Sequence, residues 1–203
     1  MHTYLFARSF RAALILAAVT AALLSGFTGP ARADHDLGYR WAARQVPVVN
    51  NAGLAWEAAV SQAVSDWNAV SSHLELVMQP GKGGKCTDIP GSIVVCQTAT
   101  RLLGIATLNP GEGADLRSAS ISLGSRAAAR PDIQLSVMCH ELGHALGLGH
   151  RDESSSSCLR KTVGNLAPDG QDADELNAAY GPKKTSARPL PECLRLFFLP
   201  VCI

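Results

Sequence analysis

From His140 to His150 the chain reads His-Glu-Leu-Gly-His-Ala-Leu-Gly-Leu-Gly-His, and this stretch leaves few ways to fold. On a helix, residues four apart lie one turn above each other on a common face, so His140 and His144 project together. Two imidazoles so placed can hold one Zn²⁺ at about 2.0–2.1 Å each. Glu141 follows the first of them and can lean over the metal without ligating it, where it can take a proton from an attacking water. Gly147 is a natural helix stop, because glycine enters the left-handed region without a Cβ penalty. The chain then turns back and delivers His150 as a third ligand. Three neutral imidazoles leave a fourth position open, which marks a catalytic rather than a closed structural site.

The surrounding pattern predicts the helix that carries the motif. Leu135, Met138, Leu142, Ala145 and Leu146 form an apolar stripe, with His140 and His144 on roughly the opposite side. Pro131 and Asp132 form its start, Asp132 as cap or first-turn acid. Met138 reads as core.

His140-Glu141-x-x-His144-x-x-Gly147-x-x-His150 resembles the extended zinc signature of the metzincin metalloproteases. The flanks are most similar to the matrixin-like branch, in a small secreted bacterial form. The resemblance follows the order of elements from Tyr39 to Tyr180 and is specific in the zinc segment. It implies an α+β fold: one metzincin/zincin-like domain with a twisted mixed sheet, an N-terminal helix, the zinc-binding active-site helix and a C-terminal helix. It also implies one catalytic Zn²⁺ on His140, His144 and His150, with Glu141 as general base in peptide hydrolysis. Metzincins carry a methionine in a tight turn beneath the zinc. Here no methionine follows His150, and the matching position is Leu159 in Ser157-Cys158-Leu159. Leucine keeps the volume and apolar character of that floor. Loops in related enzymes often hold a structural calcium. Glu112 and Asp115 are the acids available for one here, although acids in such a loop are more often simply solvated.

Residues 1–33 read as a secretory signal peptide. Arg8 and Arg11 are followed by the apolar run Ala12 to Leu24, too short for an ordinary membrane span, and by the small-x-small site Ala31-Arg32-Ala33. The expected organisation is therefore a signal peptide over 1–33, a peptidase domain over 34–182 and a tail over 183–203, in a secreted, extracellular protein without membrane attachment after cleavage. All six cysteines lie beyond the signal, and an even count in an exported chain reads as disulfides. We expect nearest-neighbour pairs: Cys86–Cys96, Cys139–Cys158 and Cys193–Cys202. The second would tie the zinc helix to the loop beyond His150. The third would close the tail, which is Pro-rich and then apolar, into a hairpin.

Other segments read more plainly. Tyr39 to Val49 suggests a first strand, with Pro47 favouring an edge position. Ala52 to Val70 has helical spacing of Trp56, Val60, Ala63, Val64, Trp67 and Val70, so its tryptophans read as core. Strands are expected at His73–Val77, Ser92–Gln97 and Leu102–Leu108, with a loop at Gln79–Pro90 and a turn at Asn109-Pro110-Gly111. Ala119 to Leu123 looks like the edge strand that metzincins place above the cleft, where an extended peptide adds as a further strand. Asp169 to Tyr180 reads as the closing helix, with Asp172, Asp174 and Glu175 suited to its dipole.

A net charge of +1 and the lack of basic runs interleaved with aromatics give no support for nucleic acid as a partner. A protein or peptide substrate and a monomeric state are expected. Two other functions fit the same residues: a zinc-containing binding module or pseudoenzyme that grips a strand without cutting it, and a hydrolase of cell-wall peptides or another amide.

Overall fold

A computed structural model describes residues 36–182 and the backbone of residues 194–196 and 199–201. The expected signal peptide and the expected Cys193–Cys202 pair lie outside the described residues.

Five strands form one mixed sheet: β1 (Gln45–Asn50), β2 (Glu75–Pro80), β3 (Ile93–Thr98), β4 (Gly104–Pro110) and β5 (Leu116–Gly124), in the spatial order β2-β1-β3-β5-β4. The first four in that order run parallel, and β4 closes one side antiparallel to β5. Helix α1 (Leu54–Val70) follows β1, and a short α2 (Ser125–Ala128) leads into α3 (Pro131–Ala145), which carries the motif. Helix α4 (Gly170–Tyr180) closes the domain. In the tail, β6 (Leu194–Leu196) pairs antiparallel with β7 (Leu199–Val201). No helix among the described residues is long and apolar enough to cross a membrane.

The core forms where α1 and α3 pack together beneath the sheet. Trp56, Val60, Ala63 and Trp67 of α1 are buried, with Val46 and Val48 of β1, Ile121 and Leu123 of β5, and Met138 and Leu142 of α3. The tryptophans are core residues, as their spacing predicts. Trp67 has a polar task as well: its indole N–H donates to the Cys139 carbonyl of α3 at 3.0 Å.

Two strands sit elsewhere than the sequence suggests. β1 is interior, not an edge, despite Pro47. The Glu75 N–H bonds Arg44 O and the Asn51 N–H bonds Val95 O. By alternation, the position where Pro47 lacks an N–H faces β3, and pairing with β3 begins only at Val48. The proline thus costs no ladder bond. β5 is interior too, between β3 and β4, so the Ala119–Leu123 segment is not the edge strand above the cleft. That edge is β4. Small Ala and Ser residues alternating with Ile and Leu suit a strand covered on both sides as well as they suit an edge.

Helix α3 departs from a simple two-faced pattern. Besides the apolar stripe, Gln134, Ser136, Val137, Cys139, Glu141 and Gly143 are buried. Helix α1, strands β4 and β5 and helix α2 all pack against it, so it is enclosed almost all round.

Candidate metal centre

Helix α3 places His140 and His144 one turn apart, and a tight C-terminal turn brings His150 back to them. That turn is a Schellman motif. The Leu148 N–H bonds Gly143 O at 3.1 Å and the Gly147 N–H bonds His144 O at 2.9 Å. Gly147 sits at φ +91°. A Cβ there would also collide with the Tyr39 carbonyl. Conformation and space both require glycine.

The three rings converge. Ring centroids lie 4.6 Å apart for His140 and His144, 4.7 Å for His144 and His150, and 5.1 Å for His140 and His150. One nitrogen from each falls within 4.8 Å of the others. Among the described residues this is the one group of three or more His, Cys, Asp or Glu side chains so placed. Glu112 and Asp115 form no such group, and Asp115 instead faces Arg40 at 3.9 Å, so calcium is not supported there.

Hydrogen bonds on the far side of two rings fix which nitrogens are available. His140 Nδ1 lies 2.8 Å from Cys158 O, and His144 Nδ1 lies 2.8 Å from Leu148 O. A carbonyl can only accept, so each Nδ1 carries the proton and each Nε2 keeps its lone pair. The two Nε2 atoms face each other at 3.0 Å. Two lone pairs so close repel unless a cation sits between them, and ligands of one ion at about 2.0–2.1 Å approach each other to such distances. Burial drives the pKa of all three imidazoles down, His144 to about 4. The rings are therefore neutral at neutral pH, the state that ligates metal. This donor set fits Zn²⁺.

Glu141 lies beside the centre, 8% exposed. Burial raises its pKa to about 7, partly offset by the Ala106 backbone N–H of β4. A carboxylate poised there suits proton transfer at neutral pH. Gly104 permits the close approach of β4, since a Cβ on it would run into the Glu141 side chain at 2.6 Å. The side of β4 left unpaired among the described residues follows from its pairing with β5. The Gly124 N–H donates to Leu103 O at 2.8 Å, so Leu103, Ile105 and Thr107 face β5, and Gly104, Ala106 and Leu108 turn their backbone groups outward. A cleft of about 470 Å³ runs along this edge, with the three histidines and Glu141 in its wall.

The structure forms the Cys86–Cys96 and Cys139–Cys158 disulfides. The second joins the residue before His140 to the residue whose carbonyl holds the His140 ring. Leu159 is fully buried under α3 at Gly143, where an added Cβ would meet Leu159 Cδ2 at 2.7 Å and Trp67 Cζ2 at 2.6 Å.

Several supports went unrecognised in the sequence. Arg151 is only 2% exposed and inserts between Asp172 and Glu175 of α4, with both contacts at 2.7 Å. The polar run after His150 hides it. The i, i+3 spacing of Asp172 and Glu175 was the available sign of a paired acidic face. Asp172 also completes a capping box with Asp169 at the start of α4. At the C-terminal end of α3, the Trp41 indole donates to Ala145 O at 2.9 Å and the Tyr180 hydroxyl to Leu146 O at 2.9 Å. Both satisfy carbonyls that a helix end leaves free.

A family model described as dual-action HEIGH metallo-peptidase matches residues 44–171, more than half of the 203-residue chain. The chain belongs to the HEIGH metallopeptidase family. Its own version of the name-giving motif is His-Glu-Leu-Gly-His, with Leu142 buried in the core. This HEIGH metallopeptidase is similar at 18% identity to archaemetzincin from Archaeoglobus fulgidus, solved in complex with malonate. The match covers 64% of this chain and 90% of that one at a TM-score of 0.35, a likeness too slight to assign fold or function. A search of curated protein sequences returned no match.

Proposed function

We propose that this metallopeptidase is a secreted zinc endopeptidase of metzincin type, matrixin-like around its ligands, that cuts extended protein or peptide substrates. The observation that carries this reading is the convergence of three neutral imidazoles beside a buried carboxylate at the free edge of β4. His140, His144 and His150 would hold the ion. Bound there, zinc supplies a Lewis acid that polarises the scissile carbonyl and lowers the pKa of the attacking water. Glu141 takes the proton from that water at its carboxylate and hands it to the leaving amine. The outward backbone groups of Gly104 and Leu108 and the Ala106 carbonyl can pair with an extended substrate, laying it along the cleft, while the Ala106 N–H serves Glu141. Export is supported by the signal-like pattern of residues 1–33 and by the two disulfides, which persist in oxidising compartments.

The test is digestion of casein and internally quenched, end-blocked peptides by the purified protein. Cleavage should stop with a chelator and return with added Zn²⁺. A protein that binds one equivalent of zinc and cuts neither substrate would refute the proposal.

A further inference from the structure

Of the aliphatic side chains lining the cleft beside the metal centre, three are exposed: Leu102 and Ile105 on the β4 side and Val163 beyond His150, at 58%, 37% and 39%. Single exposed apolar residues are ordinary, but three sharing one concave wall form a patch that a ligand's apolar group would cover. Lys161 lines the same cleft and is its sole lysine or arginine among the described residues. Among the described residues, no carboxylate lies within 4.0 Å of its ammonium. The nearby acid Glu153 is otherwise engaged, accepting from Thr162 Oγ1 at 2.6 Å. The ammonium is thus in no ion pair where it lines the cleft, close enough to the centre for its charge, opposed by that of Glu153, to act on His150.

We propose that Lys161 sets the cleavage preference, selecting substrates that offer a carboxylate next to an aliphatic side chain near the cut. This rests on the peptidase reading above. The carboxylate can come from an Asp or Glu side chain or from a peptide's C-terminus, and both present the same anion to the ammonium. An ion pair in such a half-open site contributes up to about 1 kcal/mol, or roughly fivefold in kcat/KM, and weakens with salt.

The experiment uses the full chain loaded with Zn²⁺ and two peptide series. One is blocked at both ends and carries an aliphatic residue flanked by Glu, Gln or Lys. The other has neutral side chains and either a free or an amidated C-terminus. The Glu series should be cut about fivefold faster than the Gln series, and the gain should shrink at high salt. Lys161→Met should abolish the gain and Lys161→Glu should reverse it towards the Lys peptides, both with unchanged zinc content. A gain confined to free C-termini supports the proposal and identifies the source as the terminal carboxylate. Cleavage at equal rates across both series, or a preference that survives Lys161→Glu, overturns the role of Lys161 and leaves the peptidase reading standing. No cleavage in any arm overturns both. Equilibrium binding of the same peptides to Glu141→Gln gives a second readout and should follow the same order.

Discussion

Arg151 Nε donates to Asp172 Oδ1 at 2.7 Å with both side chains fully enclosed, immediately after the third histidine of the metal centre. Helix α4 thereby holds the residue next to His150, the one candidate ligand whose ring has no hydrogen bond of its own among the described residues.

Replacing Arg151 with leucine strands Asp172 and Glu175 as buried acids. We expect a loss of about 3–5 kcal/mol in unfolding free energy, as when one partner of a buried pair is removed. Zinc affinity should fall with it, because His150 loses its anchor. Denaturant melts of the zinc-free protein and a competitive zinc titration check the two effects separately.

Cutting the Cys139–Cys158 bridge with a double serine substitution should cost about 2–4 kcal/mol. It should also weaken zinc binding by about 10- to 100-fold, since the Cys158 carbonyl orients His140. The same change at Cys86 and Cys96 should destabilise the protein and leave zinc affinity alone. Equal zinc affinities in the two double variants would contradict this.

Glu141→Gln should retain the metal and lose about 10²- to 10⁴-fold in kcat. Its effect on the metal-free protein depends on pH. The Glu141 pKa is raised from 4.5 to about 7 in the fold. Its contribution to stability is therefore whole below pH 4.5 and lost as the pH rises through 7. The glutamine variant should match the wild type at pH 4 and exceed it at pH 8 by roughly 3 kcal/mol. Urea titrations with chelator at both pH values measure the difference.

The imidazoles work in the opposite sense. The His144 pKa falls from 6.5 to about 4 through burial, so its contribution is present above 6.5 and lost as the pH falls through 4. Acid release of zinc should accordingly have its midpoint well below pH 6.5. Metal content after dialysis across that range gives the midpoint.

Leu159→Met should cost less than about 1.5 kcal/mol, being nearly volume-conserving, whereas Leu159→Ala opens a cavity under α3 and should cost about 2–5 kcal/mol. Thermal melts rank the two.

Much of the centre was legible because its spacing is local. His140, His144 and Gly147 sit on one helix and its stop, so helical geometry alone relates them. The cores of α1 and α4 were readable for the same reason, with Trp56, Trp67, Leu176 and Tyr180 at helical intervals. What stayed hidden depends on partners distant in sequence. Pro47 looks like an edge residue until the stagger between β1 and β3 is known. Strand order placed β4, not β5, over the cleft, and no local pattern encodes that order. Arg151 resembles any solvated loop cation until α4 supplies its two acids. Gly104 and Gly143 are spacers whose need for smallness arises from Glu141, Trp67 and Leu159 across the fold.

The clasp of α4 on Arg151, with Tyr180 on the end of α3, has a bearing on biosynthesis. Residues 170–180 leave the ribosome after all three histidines, so a nascent chain carries its ligands before it carries the brace that aligns them. If Arg151 supports zinc affinity as predicted above, a full grip on the metal comes only when the closing helix docks.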